Sequence, residues 1–183
     1  MRIISGQWRG RRLTAPKGDN TRPTADRTRE ALFSMLTSRL GSFEDLAVMD
    51  LFAGSGALGL EALSRGAAHC LFVEQDRAAL DAIKANIALL DAGKAADVRA
   101  GSVMALGQAR RGYDVLLLDP PYGSGAGAVA LDKLHRQGWI APSAWIGIET
   151  AKTEAANVPG FIVDSDRAIG KGRLTLLRPP PQD

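Results

Sequence analysis

The sequence predicts an α/β fold, a mostly parallel sheet with helices on both faces and an antiparallel hairpin at its C-terminal end. Three observations carry this expectation. Short apolar runs alternate with segments of helical period from residue 47 to residue 149, the pattern of repeated βαβ units. A glycine-rich turn, Ala53-Gly54-Ser55-Gly56-Ala57-Leu58-Gly59, joins the first of these runs to a helix. The final runs, 161–163 and 173–178, are separated by Gly170-Lys171-Gly172 with no room for a helix, so they pair as a hairpin.

Each element has a local reason. Residues 1–23 read as a short extended element or hairpin around Gly6 and Gly10, followed by a loop holding Pro16, Gly18 and Pro23. Thr24 or Asp26 can cap the next helix, because a short side-chain oxygen satisfies first-turn amides. There Ala31, Leu32, Met35, Leu36 and Leu40 recur at three- and four-residue spacing, which turns one stripe to the core and is expected to leave Arg27, Arg29 and Glu30 outside. A strand at 47–52, a helix at 57–65 ended by Gly66, and a strand at 69–74 follow. Helix 76–91 carries Leu80, Ile83, Ile87 and Leu90 on one side. A weaker strand at 96–100, a short helix at 103–110, a strand at 113–119, a helix at 128–137 and a strand at 144–149 complete the alternation. The organisation is then a basic arm or hairpin at 1–23, one domain at 24–178 and a tail at 179–183, whose three prolines lead us to expect disorder.

At 183 residues, 45% of them hydrophobic, the chain is long enough for one core and short for two. Cys70 is the only cysteine and the histidines are His69 and His135, so neither a disulfide framework nor a Cys/His metal spacing can be written. This points to a reducing cytoplasm and no metal. No apolar run approaches a membrane span, and the segment from Met1 to Trp8 lacks the apolar core of a signal peptide. A soluble protein is expected, and a monomer, because no apolar heptad pattern is present. Net charge is +3 but uneven: residues 1–39 hold nine Lys/Arg against three Asp/Glu. Arg2, Arg9, Arg11, Arg12 and Arg27, with Trp8 among them, form a candidate RNA phosphate-contacting surface; the bland alternative is a solvated charge run.

Two motifs carry chemistry. Asp119-Pro120-Pro121-Tyr122 follows the apolar run 113–118, placing a carboxylate, a donor-free turn and an aromatic ring at the end of a buried strand. Acceptors beside a stacking platform suit a flat, amine-bearing base, although the same residues are common in ordinary turns. Gly54, Gly56 and Gly59 match G-x-G-x-x-G after a strand, and Glu74 at the end of the next strand can accept from ribose hydroxyls. A nucleoside cofactor follows from this pair. Asp50, ahead of the glycines, would repel a pyrophosphate and favour the ammonium or sulfonium of S-adenosylmethionine; alternatively it caps the amides of the turn. A non-catalytic nucleotide- or RNA-binding module and a dinucleotide-dependent oxidoreductase are the competing classes.

With these motifs in place, the segments Arg2 to Leu13, Arg22 to Phe33, Asp50 to Ala67, Val73-Glu74 and Asp119 to Tyr122 resemble the bacterial 16S ribosomal RNA (guanine(966)-N(2))-methyltransferases, of the class I S-adenosylmethionine-dependent methyltransferases. The resemblance implies a Rossmann-like seven-stranded sheet and methyl transfer from S-adenosylmethionine to the N2 amine of a guanine in 16S ribosomal RNA, within a small-subunit particle. By position it implies that Asp50, Phe52, Gly54, Gly56, Glu74 and Gln75 hold the cofactor and that Asp119, Pro120 and Tyr122 hold the guanine. Arg22 and Thr24 fall where related enzymes bring an N-terminal segment over the cofactor. Relatives carry an acidic residue near the adenine amine where this chain has Gly101-Ser102-Val103, so Ser102 or backbone groups around Val103 would hold the adenine. Adenine N6 of DNA or RNA is the alternative target, since Asp-Pro-Pro-Tyr serves that amine equally well.

Overall fold

The structure, a computed structural model, describes residues 1–18 and 23–183, with Pro23 and Thr24 described in backbone only. Its elements run α1 (Pro23–Leu40), β1 (Ala47–Leu51), α2 (Ala57–Ser64), β2 (His69–Glu74), α3 (Arg77–Leu89), β3 (Ala96–Ala100), β4 (Tyr113–Leu118), α4 (Ala126–Arg136), β5 (Ile140–Ala151), β6 (Ile162–Ile169) and β7 (Gly172–Arg178). The seven strands form one sheet in the order β3-β2-β1-β4-β5-β7-β6. Strands β1 to β5 run parallel, while β7 is antiparallel to both β5 and β6. The chain starts in the middle of the sheet and reverses direction between β1 and β4, which opens a crevice beyond the carboxyl ends of those strands.

Helices cover both faces, so every residue of β1 is buried. Phe33 and Leu36 of α1, Leu60 of α2 and Ile83 of α3 pack on one face with Val48, Phe72 and Val115. Leu131 and Leu134 of α4 pack on the other with Met49, Leu51, Leu116 and Ile146. Val48 and Met49 thus serve opposite faces, as the two-residue period of a strand requires. Asp76 caps α3 by accepting from the Ala79 amide at 2.9 Å, the capping role read from its position. Helix α2 sits so close to the sheet that a Cβ on Gly59 would lie 2.4 Å from Phe72 Cε1 and 2.6 Å from Cys70 Sγ. Gly59→Ala is expected to destabilise the fold by about 1–3 kcal/mol, the scale of overpacking a filled core. A denaturant midpoint equal to wild type would show that α2 can lift from the sheet at no cost.

The N-terminal arm packs into this core. A bridge between Arg2 and Arg12 closes the hairpin expected around Gly6 and Gly10, and Ile3 and Leu13 are buried in the α1–α2–α3 layer. Its anchor is Glu61 of α2, which is fully buried. The Glu61 carboxylate accepts from the amides of Ile4 at 2.9 Å and Ser5 at 3.0 Å and from Arg65 Nε at 3.0 Å. Ser64 Oγ accepts from the Trp8 amide at 3.0 Å and donates to the Ser5 carbonyl at 2.7 Å. Further along, Asn86 Oδ1 accepts from the Thr14 amide at 2.7 Å. Asn86 Nδ2 donates to both the Thr14 and the Ser55 carbonyls at 2.9 Å.

Several sequence expectations are corrected here. Arg29 is not on the outer face: it is 4% exposed, pairs with Asp26 at 3.0 Å, lies 3.8 Å from Glu61 and donates to the Arg2 carbonyl. Arg27 and Glu30 are exposed as expected. The helix at 103–110 shrinks to a single 3₁₀ turn, Val103–Ala105, because Gly107 follows and its carbonyl accepts from the Trp139 indole at 2.8 Å. Strand β5 begins at Ile140 rather than 144, with a register shift against β4 between Tyr113 and Val115. Strand β6 runs to Ile169, six residues beyond the apolar segment 161–163 that marks its start. After β7, Pro179 is buried and residues 181–183 are exposed.

Candidate active site

The crevice at the carboxyl ends of the strands is a cavity of about 1080 Å³. It gathers most of the residues singled out in the sequence: Phe52, Gly54, Glu74, Gln75, Ser102, Val103, Asp119, Pro120 and Tyr122 all line it. They arrive in groups from the ends of β1, β2, β3 and β4, which together set their spacing. Arg29 and Leu32 of α1, Glu149 of β5 and Lys171 of the β6–β7 turn complete the wall.

The β1–α2 loop is built for close approach. Phe52 and Gly54 both have φ of 58°, and a Cβ on Gly54 would meet no atom within 4 Å. For Phe52 that backbone conformation is strained, and strain of this kind persists where the surroundings enforce it, commonly at ligand clamps. Glu74 holds the loop in place. Its Oε2 accepts from the Gly54 amide at 2.7 Å, and its Oε1 accepts from the amides of Gln75 and Asp76 at 2.8 and 2.9 Å. Oε1 has both lone pairs taken, whereas Oε2 accepts a single amide and keeps a lone pair that can accept from a ligand hydroxyl. Ser102 Oγ accepts from the Met104 amide at 3.1 Å and keeps its own proton to donate.

Asp50 and Gly56 stand behind the wall. Gly56, at φ 79°, is the residue that turns the loop into α2. Asp50 is 1% exposed, and its Oδ2 accepts from the Gly59 amide at 2.9 Å, which is the amide-capping arrangement. Its Oδ1 is buried and without a hydrogen bond. Burial pushes the Asp50 carboxyl well above the usual range, opposed by the Gly59 bond and reinforced by the charges of Asp119 and Glu74. Arg22 lies outside the described residues, as does the Thr24 side chain.

On the opposite side, Tyr122 is 53% exposed, and its hydroxyl donates to Glu149 Oε1 at 2.8 Å. Burial and then the Glu149 carboxylate push the Tyr122 phenol up, while Glu149 itself is raised by burial and lowered by the tyrosine hydrogen bond. Among the described residues no cluster of three or more His, Cys, Asp or Glu is placed to hold a metal, and no helix is long and apolar enough to cross a membrane. Arg2, Arg9 and Arg27 line a second groove of about 350 Å³ beside Asp26 and Glu30. Arg11 and Arg12 are exposed nearby, with Arg11 donating to the Leu89 carbonyl at 2.9 Å.

Sheets of this strand order, with the final strand reversed beside β5 and a glycine loop after β1, define the class I methyltransferases. The ribosomal protein L11 methylase of Lactobacillus delbrueckii subsp. bulgaricus shares the fold, with a TM-score of 0.68 at 16% identity over 84% of this chain and 79% of that one. The family described as Conserved hypothetical protein 95 matches residues 1–178, and the chain belongs to it. Ribosomal RNA small subunit methyltransferase D of Escherichia coli (strain K12) is 42% identical over 150 residues, which are 82% of this chain and 74% of that protein. Its namesake in Haemophilus influenzae is 37% identical over 87% of this chain and 83% of its own. A solved Escherichia coli structure, yhhF, described as a candidate methyltransferase, superimposes with a TM-score of 0.85 at 36% identity over 100% of this chain and 99% of that one.

Proposed function

We propose that the protein methylates small-subunit ribosomal RNA, and that it transfers the methyl group of S-adenosylmethionine to the exocyclic N2 amine of a guanine. The observation that carries this reading is the meeting of Asp119, Pro120 and Tyr122 with Gly54, Glu74 and Ser102 on one cavity wall. Its support from relatives is that the Escherichia coli and Haemophilus influenzae proteins matched in sequence are named ribosomal RNA small subunit methyltransferase D.

The residues present fit the cofactor. Gly54 leaves its backbone bare toward the cavity, Glu74 stands where ribose hydroxyls would donate, and the wall carries Glu74, Asp119 and Glu149 rather than a cluster of free cations. An acidic site opposes a pyrophosphate and favours a sulfonium or ammonium. When bound, S-adenosylmethionine supplies an electrophilic methyl group on a sulfonium, a good leaving group. The chain's own residues then have to orient a poor nucleophile. The guanine N2 lone pair is delocalised into the ring. If the Asp119 carboxylate and the Pro120 carbonyl each accept one amine hydrogen, the nitrogen pyramidalises and its lone pair turns toward the methyl group. Positioning of this kind supplies several kcal/mol, up to roughly 7–11 in favourable cases. Tyr122 stacks on the base, worth about 1–3 kcal/mol, and Asp119 or water removes the proton after transfer. Arg2, Arg9, Arg11, Arg12 and Arg27 hold the RNA phosphates, and the protein acts as a monomer on a small-subunit particle.

Asp50→Asn tests the role of the buried carboxylate. The amide oxygen can keep the Gly59 bond while the charge is lost. Stability is expected to hold or rise, since Asp50 has a raised folded-state pKa and its ionised form costs stability that is relieved as pH falls. S-adenosylmethionine affinity is expected to fall by about tenfold, on the scale of one lost charge interaction. Unchanged affinity in a titration would leave Asp50 with the capping role alone. For the function itself, the protein is incubated with S-adenosylmethionine and undermethylated ribosomal RNA, naked or in small subunits, and the nucleosides are identified by mass spectrometry. N2-methylguanosine is the expected product; N6-methyladenosine would overturn the base assignment.

A further inference from the structure

We infer that Glu149 is the residue that selects guanine, by accepting the N1–H that lies beside the target amine on the same edge of the base. This rests on the guanine-N2 reading above and adds the means by which the base is recognised. The sheet supplies the placement. Leu118 of β4 and Ile148 of β5 are paired in parallel register, so Asp119, just past β4, and Glu149, within β5, stand side by side and both reach the cavity. Strands in such a pair are about 4.8 Å apart, close enough for an Asp and a Glu side chain to converge on one base edge.

The surroundings of Glu149 are shaped for this carboxylate. Gly172 stands against it: a Cβ there would lie 3.0 Å from Glu149 Oε1 and 3.4 Å from the Tyr122 hydroxyl. The Tyr122 hydroxyl fixes Oε1 at 2.8 Å, and among the described residues no donor reaches Oε2. A half-buried carboxylate is therefore oriented by one bond and left with an acceptor toward the cavity, next to the acceptor assigned to the amine. Guanine presents two donors in sequence on that edge, N2–H and N1–H. Adenine presents its amine beside a bare N1 lone pair, which a carboxylate repels. Sites that hydrogen-bond a specific group reject analogues lacking it, because their own polar atoms are then left unpaired. Tyr122 stacks and at the same time holds Glu149 in register with Asp119.

The test uses 2-aminopurine, which has the same exocyclic amine but no N1–H. RNA in the preferred assembly state carries either guanosine or 2-aminopurine riboside at the mapped target, and kcat/KM is compared. The wild-type protein is expected to prefer guanosine by roughly tenfold to a hundredfold, the discrimination of one good base-edge contact. Glu149→Gln, whose amide can donate to a bare N1, is expected to bring the two bases close to parity, with S-adenosylmethionine affinity as the check on its fold. Tyr122→Phe, which keeps the ring but removes the bond that orients Glu149, is expected to weaken the preference without abolishing it. Equal wild-type turnover of the two bases, or a preference undiminished in Glu149→Gln, would overturn this inference while N2-methylguanosine formation stood. A wild-type product other than N2-methylguanosine would overturn the base assignment and this inference together.

Discussion

Asp119→Ala is expected to lower methyl transfer by on the order of a thousandfold while leaving S-adenosylmethionine affinity nearly unchanged, the scale of losing one preorganised hydrogen-bonding group at the reacting atom. The separation follows from position. Asp119 sits at the end of β4, whereas the cofactor-side groups Gly54, Glu74 and Ser102 are held by β1, β2 and β3 and by bonds that do not involve Asp119. Single-turnover measurement with saturating cofactor and substrate, beside a cofactor titration, reads the two quantities independently. Asp119→Asn should fall between the two proteins, because an amide oxygen still accepts one hydrogen but carries no charge for the developing cation. If Asp119→Ala turned over at the wild-type rate, another group would have to be the acceptor. If it lost cofactor affinity in parallel with rate, Asp119 would be acting on the cofactor.

Glu61→Ala is expected to cost about 3–5 kcal/mol of stability, the range for breaking a buried charge pair by removing one partner. Glu61 is fully buried, accepts from three donors, two arm amides and Arg65, and faces the Arg29 guanidinium at 3.8 Å. Without it, Arg29 stays buried with Asp26 and a carbonyl, and two amides of the arm lose their acceptors. A denaturant midpoint and limited proteolysis of residues 1–18 measure the two consequences. Both should move together, with the arm cleaved early. A large drop in midpoint with an arm still protected would mean that Ile3, Leu13 and Asn86 hold the arm without Glu61.

What the sequence could and could not predict follows from where each signal lives. Strands β1, β2 and β4 were readable because both faces are covered, which writes them as unbroken apolar runs. Strand β6 is an edge strand whose residues are mostly exposed, so no alternation marks its polar half; its pairing with β7 defines it. Arg29 was misplaced because helical period reports only its own helix, and the carboxylate that buries it belongs to α2. At the site, the glycine loop and Asp-Pro-Pro-Tyr were legible since their residue types carry the chemistry. Glu149 was legible as a carboxylate ending a strand on the site's side of the sheet, with capping or ion pairing as its other reading, while its place beside Asp119 depends on the β4–β5 register. Asp50 was legible as a buried carboxylate before the glycines, with its bond to Gly59 among the two readings open to it.

Asn86 has a consequence for where this molecule can be cut. One buried amide ties the Thr14 backbone in both directions and reaches the Ser55 carbonyl of the glycine loop. Glu61 and Ser64 tie the preceding stretch to the helix that the same loop begins. Removing residues 1–18 therefore does not trim an accessory tail from a catalytic unit; it strips partners from Glu61, Ser64 and Asn86 and exposes the surface under Ile3 and Leu13. The arm is a packed part of the fold, and its arginines are carried on the same body as the cavity. On the function proposed above, RNA contact is tested apart from methyl transfer by changing charges on the arm, and not by shortening the chain.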